Sequence, residues 1–309
     1  MLDTVKSTLL SMQRYSWEQG VTAQAFLEAG DDDIVIAIAY DAINRQTADG
    51  RPANIGQQNG VTDPVAVIPA LIRAVELTAD PFLEDGLEKA WQWTLVDAPR
   101  SESGILYHMD NTRQFWVDSL YMLPPALLAG AHADEAVKQA DGYIAALWDK
   151  DTALFHHIWN DETHSFDAPN FWAVGNGWAI AGLARLIAAL PASHAKNRAR
   201  YIDIVEQTIN AALSHQDGWL FHNFLDQADS FIEVNFAQML CYTIAQGTKQ
   251  GWLPAPLLAT AQDIRAEIKK HVSPHGIVHD VCGAPHFDKL GIAPEGQAFY
   301  ILMEVAFGT

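Results

Sequence analysis

Apolar residues recur at positions i, i+3, i+4 and i+7 through most of this 309-residue sequence. Such spacing places them on one face of an α-helix, whereas a half-buried strand would alternate apolar and polar residues. The pattern therefore predicts an all-α chain. About twelve helices are expected, at about residues 3–14, 17–29, 32–46, 63–79, 83–97, 115–130, 133–149, 175–190, 196–215, 230–247, 255–272 and 294–307.

Two predicted helices have a well-defined start, because each begins with an Asp-Pro pair. Asp63 precedes Pro64 in "TDPVAVIPAL", and Asp80 precedes Pro81 in "TADPFLEDGL". An Asp at the N-cap accepts a backbone hydrogen bond, and Pro suits the first helical position, where no N–H is needed. Both aspartates are therefore predicted N-caps. Asp63 could also take part in chemistry, if its helix starts at the rim of a cavity.

Four short segments between the predicted helix pairs resemble one another, since each runs through apolar residues to a histidine. They are "GILYHMD" (104–110), "ALFHHIWND" (153–161), "GWLFHNF" (218–224) and "GIVHDV" (276–281). This weak repeat and about six helix pairs indicate a toroid in which inner helices surround a cavity and outer helices cover them. We expect a single domain over residues 1–309, with these segments as short strands or hairpins at one rim.

The charge balance argues against nucleic acid as a partner. Lys and Arg total 19 against 38 Asp and Glu, a formal net charge of −19, so the basic surface that phosphate backbones require is lacking. No segment has the roughly 18 uninterrupted apolar residues of a membrane span. The N-terminal residues also lack the pattern of a secretory signal. We therefore expect a soluble, cytoplasmic protein without a membrane partner.

The cysteine content argues against a disulfide framework and against a zinc site. Cys241 and Cys282 are the two cysteines of the chain. No Cys/His cluster has zinc-ligand spacing, so the sequence predicts no metal site and two reduced cysteines in the core.

The stretch "FWVDSLYMLPPALLAG", residues 115–130, places one carboxylate, Asp118, in a segment predicted as a buried helix. In a helix, Asp118 would share its face with Gln114, Tyr121 and Met122, an aromatic environment poor in countercharge. Such surroundings raise the pKa of a carboxyl group and suit a general acid. The alternative is a carboxylate in an early turn that stabilises the helix N-terminus. The sequence supports both interpretations equally.

A second stretch, "NFWAVGNGWAIAGLARLIAALP", has Trp172 and Trp178 on either side of the residues Gly175-Asn176-Gly177. Glycines in a turn allow backbone to approach a ligand, and indole rings stack on the faces of sugars. Either tryptophan alone would more commonly fill a core. Two of them around a glycine-rich turn favour a carbohydrate site.

Six stretches resemble family 105 of the glycoside hydrolases, relatives of family 88, in their order and approximate spacing. They are "RYSWEQGV" (14–21), "GVTDPVAVIPAL" (60–71), "FWVDSLYMLPPALL" (115–128), "LFHHIWND" (154–161), "FWAVGNGWAIAGLARL" (171–186) and "GIAPEGQAFYILM" (291–303). The resemblance covers nearly the whole chain, and the Trp-Val-Asp and Gly-Asn-Gly-Trp stretches are its most specific parts. It implies an (α/α)6 barrel, which agrees with the helix ring expected from periodicity.

The resemblance also implies an activity. Family members remove a Δ4,5-unsaturated uronic acid, galacturonyl or glucuronyl, from the non-reducing end of lyase-generated oligosaccharides such as those from pectin. An acid protonates C4, water adds at C5, and the resulting hemiketal opens and expels the remaining sugar, without a metal or an organic cofactor. By motif, Asp118 resembles the general acid/base and Asp63 the second family aspartate. His157, Trp172 and Trp178 resemble substrate contacts.

The chain departs from the family pattern at Val174, where many members carry an Arg that can meet the uronate. A guanidinium is the natural partner of a carboxylate, so this chain is expected to bind the uronate differently. Candidate groups are the neutral donors Asn176 and His157, indole N–H groups such as that of Trp116, backbone amides of the glycine-rich turn, and the cation Arg113. A change of substrate is expected rather than a loss of activity, because both aspartates remain.

Two alternative functions fit the same ring of helices. A sugar epimerase or isomerase would use two histidines, such as His157 and His222, as a paired acid and base. A non-catalytic carbohydrate-binding relative is suggested by Val174, although a binding protein has no evident need for both aspartates. A structural role for His157 among aromatic residues is also common.

Overall fold

A computed structural model describes residues 1–54, 56 and 59–308 of the chain. Its α-helices are α1 (Leu2–Leu9), α2 (Ser16–Ala29), α3 (Asp32–Asn44), α4 (Ile68–Thr78), α5 (Pro81–Gln92), α6 (Ser119–Met122), α7 (Pro124–Ala129), α8 (Ala133–Leu147), α9 (Ala173–Ala189), α10 (Ala195–Leu213), α11 (Asn235–Lys249), α12 (Leu257–Ile268) and α13 (Pro294–Ala306). A 3₁₀ turn over Asp63–Val67 leads into α4, and a π-helical turn over Trp93–Asp97 extends α5.

The inner helices form a closed ring. Helix α2 packs on the 3₁₀ turn before α4, that turn packs on α6, α6 and α7 pack on α9, α9 packs on α11, α11 on α13, and α13 on α2. The outer helices α1, α3, α5, α8, α10 and α12 each pack against the ring. Inner helices such as α9 and α13 are buried on nearly all sides, whereas outer helices such as α5 and α12 bury one apolar stripe. The predicted (α/α)6 barrel is confirmed.

Short antiparallel strands connect the helices. They are β1 (Gln114–Trp116), β2 (Trp148–Asp149), β3 (Leu154–Phe155), β4 (Ile158–Asn160), β5 (Ser165–Ala168), β6 (Gln216–Asp217), β7 (Leu220–His222), β8 (Ile232–Glu233), β9 (Val281–Gly283) and β10 (His286–Gly291). They pair in the orders β1-β4-β5, β2-β3, β6-β7-β8 and β9-β10. Strands β3, β4 and β7 fall within the histidine-bearing segments 153–161 and 218–224, as predicted, whereas β9 shares only Val281 with segment 276–281 and none of these strands lies in 104–110.

The helix predicted over residues 115–130 is wrong at its start. Residues Gln114 to Trp116 form β1, which pairs with β4 in the register Phe115↔Trp159 and Trp116↔Ile158. Aromatic side chains favour strands when cross-strand partners are available. The helical part is divided into α6 and α7 before Pro124, which occupies the first position of α7. Asp118 is thus the N-cap residue of α6 rather than a residue inside a helix.

The two predicted N-caps have different outcomes. Asp80 caps α5, since its side chain accepts the Phe82 backbone N–H at 2.8 Å. Asp63 is instead the first residue of the 3₁₀ turn, whose N-cap is Thr62, and its carboxyl group makes no capping bond. The cap prediction for Asp63 is wrong because this carboxyl group is directed into the cavity described below.

Helix α2 approaches the 3₁₀ turn closely at Gly20. A Cβ atom at this position would collide with the side chain and backbone of Ala66. Glycine therefore allows the inner ring to close beside Asp63. Elsewhere in the core, Cys241 and Cys282 are buried free thiols. Within the described ranges, no helix combines the length and apolar character of a membrane span.

Candidate active site

A cavity of about 420 Å³ opens at the end of the barrel that carries the short strands. Its size is within the range of small-molecule sites. Aromatic rings form most of its wall, and carboxyl, imidazole and amide groups supply the polar part. The lining residues are Trp17, Asp63, His108, Trp116, Asp118, Met122, His157, Trp172, Trp178, Asn223, Phe224, Phe287 and Glu295.

Asp118 lies between β1 and α6, where the chain turns from the strand into the inner ring. The Val117 backbone N–H donates to the His157 carbonyl oxygen at 3.0 Å and fixes this turn. The Asp118 side chain is 16% exposed, and its Oδ2 atom accepts no hydrogen bond from the described residues. Burial raises the pKa of this carboxyl group to about 7, although its own backbone N–H opposes the shift.

Asp63 is almost completely buried, with 3% of its surface exposed. Burial raises its pKa well above the usual range, and the negative charge of Asp118 adds to the increase. The Nε2 atom of His108 lies 3.6 Å from Asp63 Oδ1. Burial also lowers the pKa of His108 to about 3, so the imidazole is neutral and cannot act as a countercharge. Asp63 and Asp118 therefore face one cavity as two electrostatically coupled acids.

Hydrogen bonds and stacking fix the position of His108. Its Nδ1 atom lies 2.9 Å from Thr62 Oγ1 and 3.1 Å from Ser119 Oγ. Its ring stacks on Trp116 with centroids 4.4 Å apart. The backbone of His108 bonds to Val61 and Gln114, so the 104–110 segment joins the two aspartate-bearing turns.

His157 faces Asp118. Its Nε2 atom lies 3.8 Å from Asp118 Oδ2, and its ring packs against Trp172 at 4.7 Å and Trp116 at 5.7 Å. Burial lowers the pKa of His157 to about 4. This imidazole is therefore neutral near pH 7 and can exchange hydrogen bonds but carries no charge.

The three predicted tryptophans line the cavity, but two of their indole N–H groups are already engaged. Trp116 Nε1 donates to Gln114 Oε1 at 2.9 Å, and Trp172 Nε1 donates to Asn223 Oδ1 at 3.1 Å. Trp178 packs against Tyr121. Trp116 and Trp172 therefore present mainly ring faces and edges to a ligand, which suits sugar stacking.

Asn176 does not line the cavity, although its motif predicts a contact with substrate. Its Oδ1 atom accepts the Phe155 N–H at 2.8 Å, and its Nδ2 atom donates to the carbonyl oxygens of Phe155 and Trp172, both at 3.0 Å. Gly175 and Gly177 lie inside α9, not in a turn, and pack closely on Val117 and Met239. This motif joins α9 to β3.

Arg113 and Val174 are also absent from the cavity wall. Arg113 lies over the Tyr107 ring and lines a separate surface cleft with Asp161 and Glu162. The structure therefore does not bring Arg113 to the cavity in which it was expected to meet the uronate. Val174 is buried in the first turn of α9. The described residues of the cavity wall include no Lys or Arg.

Several lining residues were not predicted from the sequence. Trp17 and Glu295 belong to "RYSWEQGV" and "GIAPEGQAFYILM", two of the stretches that carried the family resemblance, so this signal was present without an assigned role. His108 and Asn223 come from the histidine-bearing segments. Phe287, on the β9-β10 hairpin, had no sequence signal. Among the described residues, no group of three or more His, Cys, Asp or Glu side chains is placed to hold a metal ion.

Comparisons with known proteins agree with this architecture. A solved structure from Salmonella enterica, described as a possible member of the GH105 family, superposes with a TM-score of 0.86 at 21% identity, covering 99% of this chain and 92% of the other. A family 105 glycoside hydrolase from C. acetobutylicum gives a TM-score of 0.84 at 19% identity, covering 99% of both chains. At these identities the similarity shows the fold.

Sequence relatives extend the comparison. The unsaturated rhamnogalacturonyl hydrolase YesR of Bacillus subtilis is 26% identical over 254 residues, which span 75% of this chain and 70% of the relative. An unsaturated 3S-rhamnoglycuronyl hydrolase of Formosa agariphila is 28% identical over 191 residues, or 56% of this chain and 48% of the relative.

The helix ring and its carboxylate-bearing aromatic cavity define a glycoside hydrolase of the (α/α)6 barrel class. The model of Glycosyl Hydrolase Family 88 matches residues 2–305. The chain belongs to Glycosyl Hydrolase Family 88.

Proposed function

We propose that the protein removes a Δ4,5-unsaturated uronic acid from the non-reducing end of lyase-generated oligosaccharides by hydrating the C4=C5 double bond. The observation that carries this proposal is Asp118, an enclosed carboxyl group on the cavity wall whose Oδ2 atom has no partner among the described residues and whose pKa burial raises to about 7. The names of the relatives, an unsaturated rhamnogalacturonyl hydrolase and an unsaturated 3S-rhamnoglycuronyl hydrolase, support the substrate class.

The proposed reaction begins with proton transfer from the Asp118 carboxyl group to C4. The electrons of the double bond form the new C4–H bond, and the positive charge at C5 is shared with the ring oxygen. Water adds to C5 and returns a proton to the Asp118 carboxylate, which restores the acid and leaves a hemiketal. Cleavage of the C5–O5 bond opens the ring, and the hemiacetal at C1 then releases the remaining sugar as an alcohol.

The other cavity residues support this sequence of steps. Asp63 faces the same cavity, and its coupling to Asp118 favours the protonated form of the pair. His157 lies close enough to Asp118 to orient the carboxyl group or the attacking water through a neutral imidazole. Trp116, Trp172 and Trp178 offer rings for the apolar faces of a sugar.

The epimerase alternative required His157 and His222 to face each other across one site. His222 does not line the cavity. Its Nδ1 atom is 2.6 Å from the Ser230 carbonyl oxygen, and its Nε2 atom is 3.3 Å from Asp217 Oδ2. These contacts hold the β7 hairpin together, so the geometry favours hydration over a reaction with two histidines.

The test is turnover of an unsaturated galacturonyl-rhamnose disaccharide in D₂O. Hydration predicts loss of the ultraviolet absorbance of the double bond, release of rhamnose, and one deuterium at C4 of the uronate product by NMR. Release of rhamnose without deuterium at C4 would contradict protonation of the double bond. Rearrangement without release would support an isomerase, and binding without turnover would support a carbohydrate-binding protein.

A further inference from the structure

The cavity contains a third carboxyl group, Glu295, for which the hydration steps give no role. Glu295 is the second residue of α13, after the N-cap Ala293 and Pro294. Its side chain is 2% exposed and lines the cavity beside Trp17. The Oε2 atom is buried and makes no hydrogen bond with the described residues. A buried polar atom without a partner at a cavity wall indicates a place where a ligand supplies the partner.

The backbone around Glu295 is shaped to accommodate this side chain. A Cβ atom at Gly283, on β9, would collide with Ala293 and lie 3.0 Å from Glu295 Oε1. Gly296 packs against Val281 with equally little space. The β9 strand and the start of α13 are therefore in close contact, which restricts the directions that the carboxyl group can take.

The electrostatic surroundings of Glu295 favour its neutral form. Burial raises its pKa to about 8, the carboxylates of Glu18 and Asp118 add to the increase, and the Trp17 indole opposes it. The Cys282 thiol on β9 is near enough to interact electrostatically with Glu295, and burial raises the pKa of that thiol and keeps it protonated. Glu295 thus holds a proton near pH 7, and a protonated carboxyl group is a hydrogen-bond donor.

We propose that Glu295 binds the carboxylate of the substrate by donating a hydrogen bond from its protonated Oε2 atom, in place of the cation expected at the position of Val174. This inference rests on the proposed function, because it requires an anionic sugar in the cavity. Hydrogen bonds from a neutral acid to a carboxylate are short and strong. Three of the donors expected from the sequence do not reach a ligand here: Asn176 bonds to backbone groups, the Trp116 indole donates to Gln114, and Arg113 lies in another cleft.

This mode of binding selects the free acid of the substrate over its ester. A uronate carboxylate accepts a strong hydrogen bond from the Glu295 acid, whereas a methyl ester offers a weaker, uncharged acceptor. It also links binding to pH, because an ionised Glu295 would repel the substrate anion. An arginine would bind the anion at any pH in this range.

The test is a binding cycle in the Asp118→Asn background, which prevents turnover. Calorimetry would give Kd values for the unsaturated galacturonyl-rhamnose disaccharide and for its methyl ester. Three proteins are compared, all with Asp118→Asn: the parent, which keeps Glu295, and the variants Glu295→Gln and Glu295→Ala. The control is Glu233→Gln, another buried carboxyl group at a helix start, which bonds to the backbone N–H groups of Asn235 and Phe236 and does not line the cavity. Thermal melts of each protein report folding.

At about pH 6, Glu295→Ala should weaken binding of the acid by about tenfold to a hundredfold and binding of the ester by less than about threefold. Glu295→Gln and Glu233→Gln should bind the acid within about threefold of the parent, since the Gln amide still donates. At about pH 9.5 the parent should lose affinity for the acid while Glu295→Gln retains it.

Equal losses for acid and ester in Glu295→Ala would overturn the inference, because a purely structural role affects both ligands alike. Unchanged binding of the acid would overturn it as well. Turnover of the disaccharide by the unmodified protein is measured in parallel. If the protein turns over the disaccharide but Glu295→Ala weakens acid and ester binding equally, this inference alone is refuted. If the protein shows no turnover, the proposed function and this inference are refuted together.

Discussion

Asp118 Oδ2 and His157 Nε2 lie 3.8 Å apart, yet the two groups do not form an ion pair. An ion pair would lower the pKa of the aspartic acid and raise that of the histidine. The shifts are the opposite, to about 7 for Asp118 and about 4 for His157, because burial penalises both charged forms. Between about pH 4 and about pH 7 the pair is therefore mainly a neutral acid beside a neutral imidazole, which is the state that proton transfer to carbon requires.

The first prediction concerns Asp118→Asn. The amide has nearly the same volume but cannot deliver a proton. The value of kcat should therefore fall by about a hundredfold to ten-thousandfold. Stability should be retained, because the carboxyl group accepts few hydrogen bonds and is costly to bury. The measurements are kcat on an unsaturated disaccharide and the thermal midpoint. Asp151→Asn, an exposed position on the β2-β3 turn, is the control. A folded Asp118→Asn protein with full activity would refute the assignment.

The second prediction is a loss of kcat/KM as the pH rises through about 7. The proton donor must be protonated in the free enzyme, and Asp118 loses its proton in this range. His108 and His157 have pKa values of about 3 and about 4 and stay neutral in this range. Neither histidine should therefore change kcat/KM between about pH 5.5 and pH 9. Glu295→Gln should remove any second ionisation near pH 8. An increase of kcat/KM with pH in this range would indicate that Asp118 acts as a base.

The third prediction separates the chemical and structural roles of Asp63. Its carboxyl group makes no capping bond, so Asp63→Asn should change the free energy of unfolding by less than about 1 kcal/mol at about pH 4, where the buried carboxyl group is still protonated. The folded-state pKa of Asp63 is raised, so its contribution to stability is present at low pH and is lost as the pH rises. Relative to the parent, the Asn protein should therefore become more stable with increasing pH.

Activity of Asp63→Asn should fall at every pH, because Asn cannot share protons with Asp118. Denaturant unfolding at about pH 4, about pH 6 and about pH 9, with kcat at the two higher pH values, checks both parts. Full activity combined with reduced stability would show a structural role for Asp63.

The sequence predicted the ring of helices because each helix has its own apolar periodicity, which is a local property. It also located Asp118 and His157, since both belong to distinctive motifs. It failed at β1, where pairing with β4 overrides a helix-compatible pattern. This pairing depends on residues about forty positions away, Phe115 with Trp159.

The sequence also could not predict which side chains of the inner helices face the cavity. Asn176 belongs to the most distinctive motif, yet it faces β3 rather than the cavity. Glu295 belongs to a weaker motif and faces the cavity. The rotation of α9 and α13 about their axes decides between these outcomes, and packing across the ring sets that rotation. One helix sequence does not contain this information.

The fourth prediction follows from the Asn176 contacts. Asn176→Asp would replace two donated hydrogen bonds with a carboxylate oxygen facing the carbonyls of Phe155 and Trp172. We expect a loss of roughly 2–4 kcal/mol in the free energy of unfolding, because a buried charge loses its partners. KM of the remaining folded protein should change little, since Asn176 does not line the cavity. Denaturant unfolding and KM measured on purified folded protein test this. A raised KM with unchanged stability would restore the substrate-binding role.

The fifth prediction concerns salt dependence and the two positions where a cation was expected. Arg113 lines another cleft, so Arg113→Ala should leave KM within about twofold across ionic strengths. Val174 is fully buried in α9, so Val174→Arg would place a charge in the core and should destabilise the fold rather than tighten binding. Because Glu295 supplies an uncharged donor, KM of the unmodified protein should change only modestly with salt at about pH 6. KM across ionic strengths and thermal midpoints for the three proteins are the measurements. A steep salt dependence that disappears in Arg113→Ala would identify Arg113 as the cation and contradict the role assigned to Glu295.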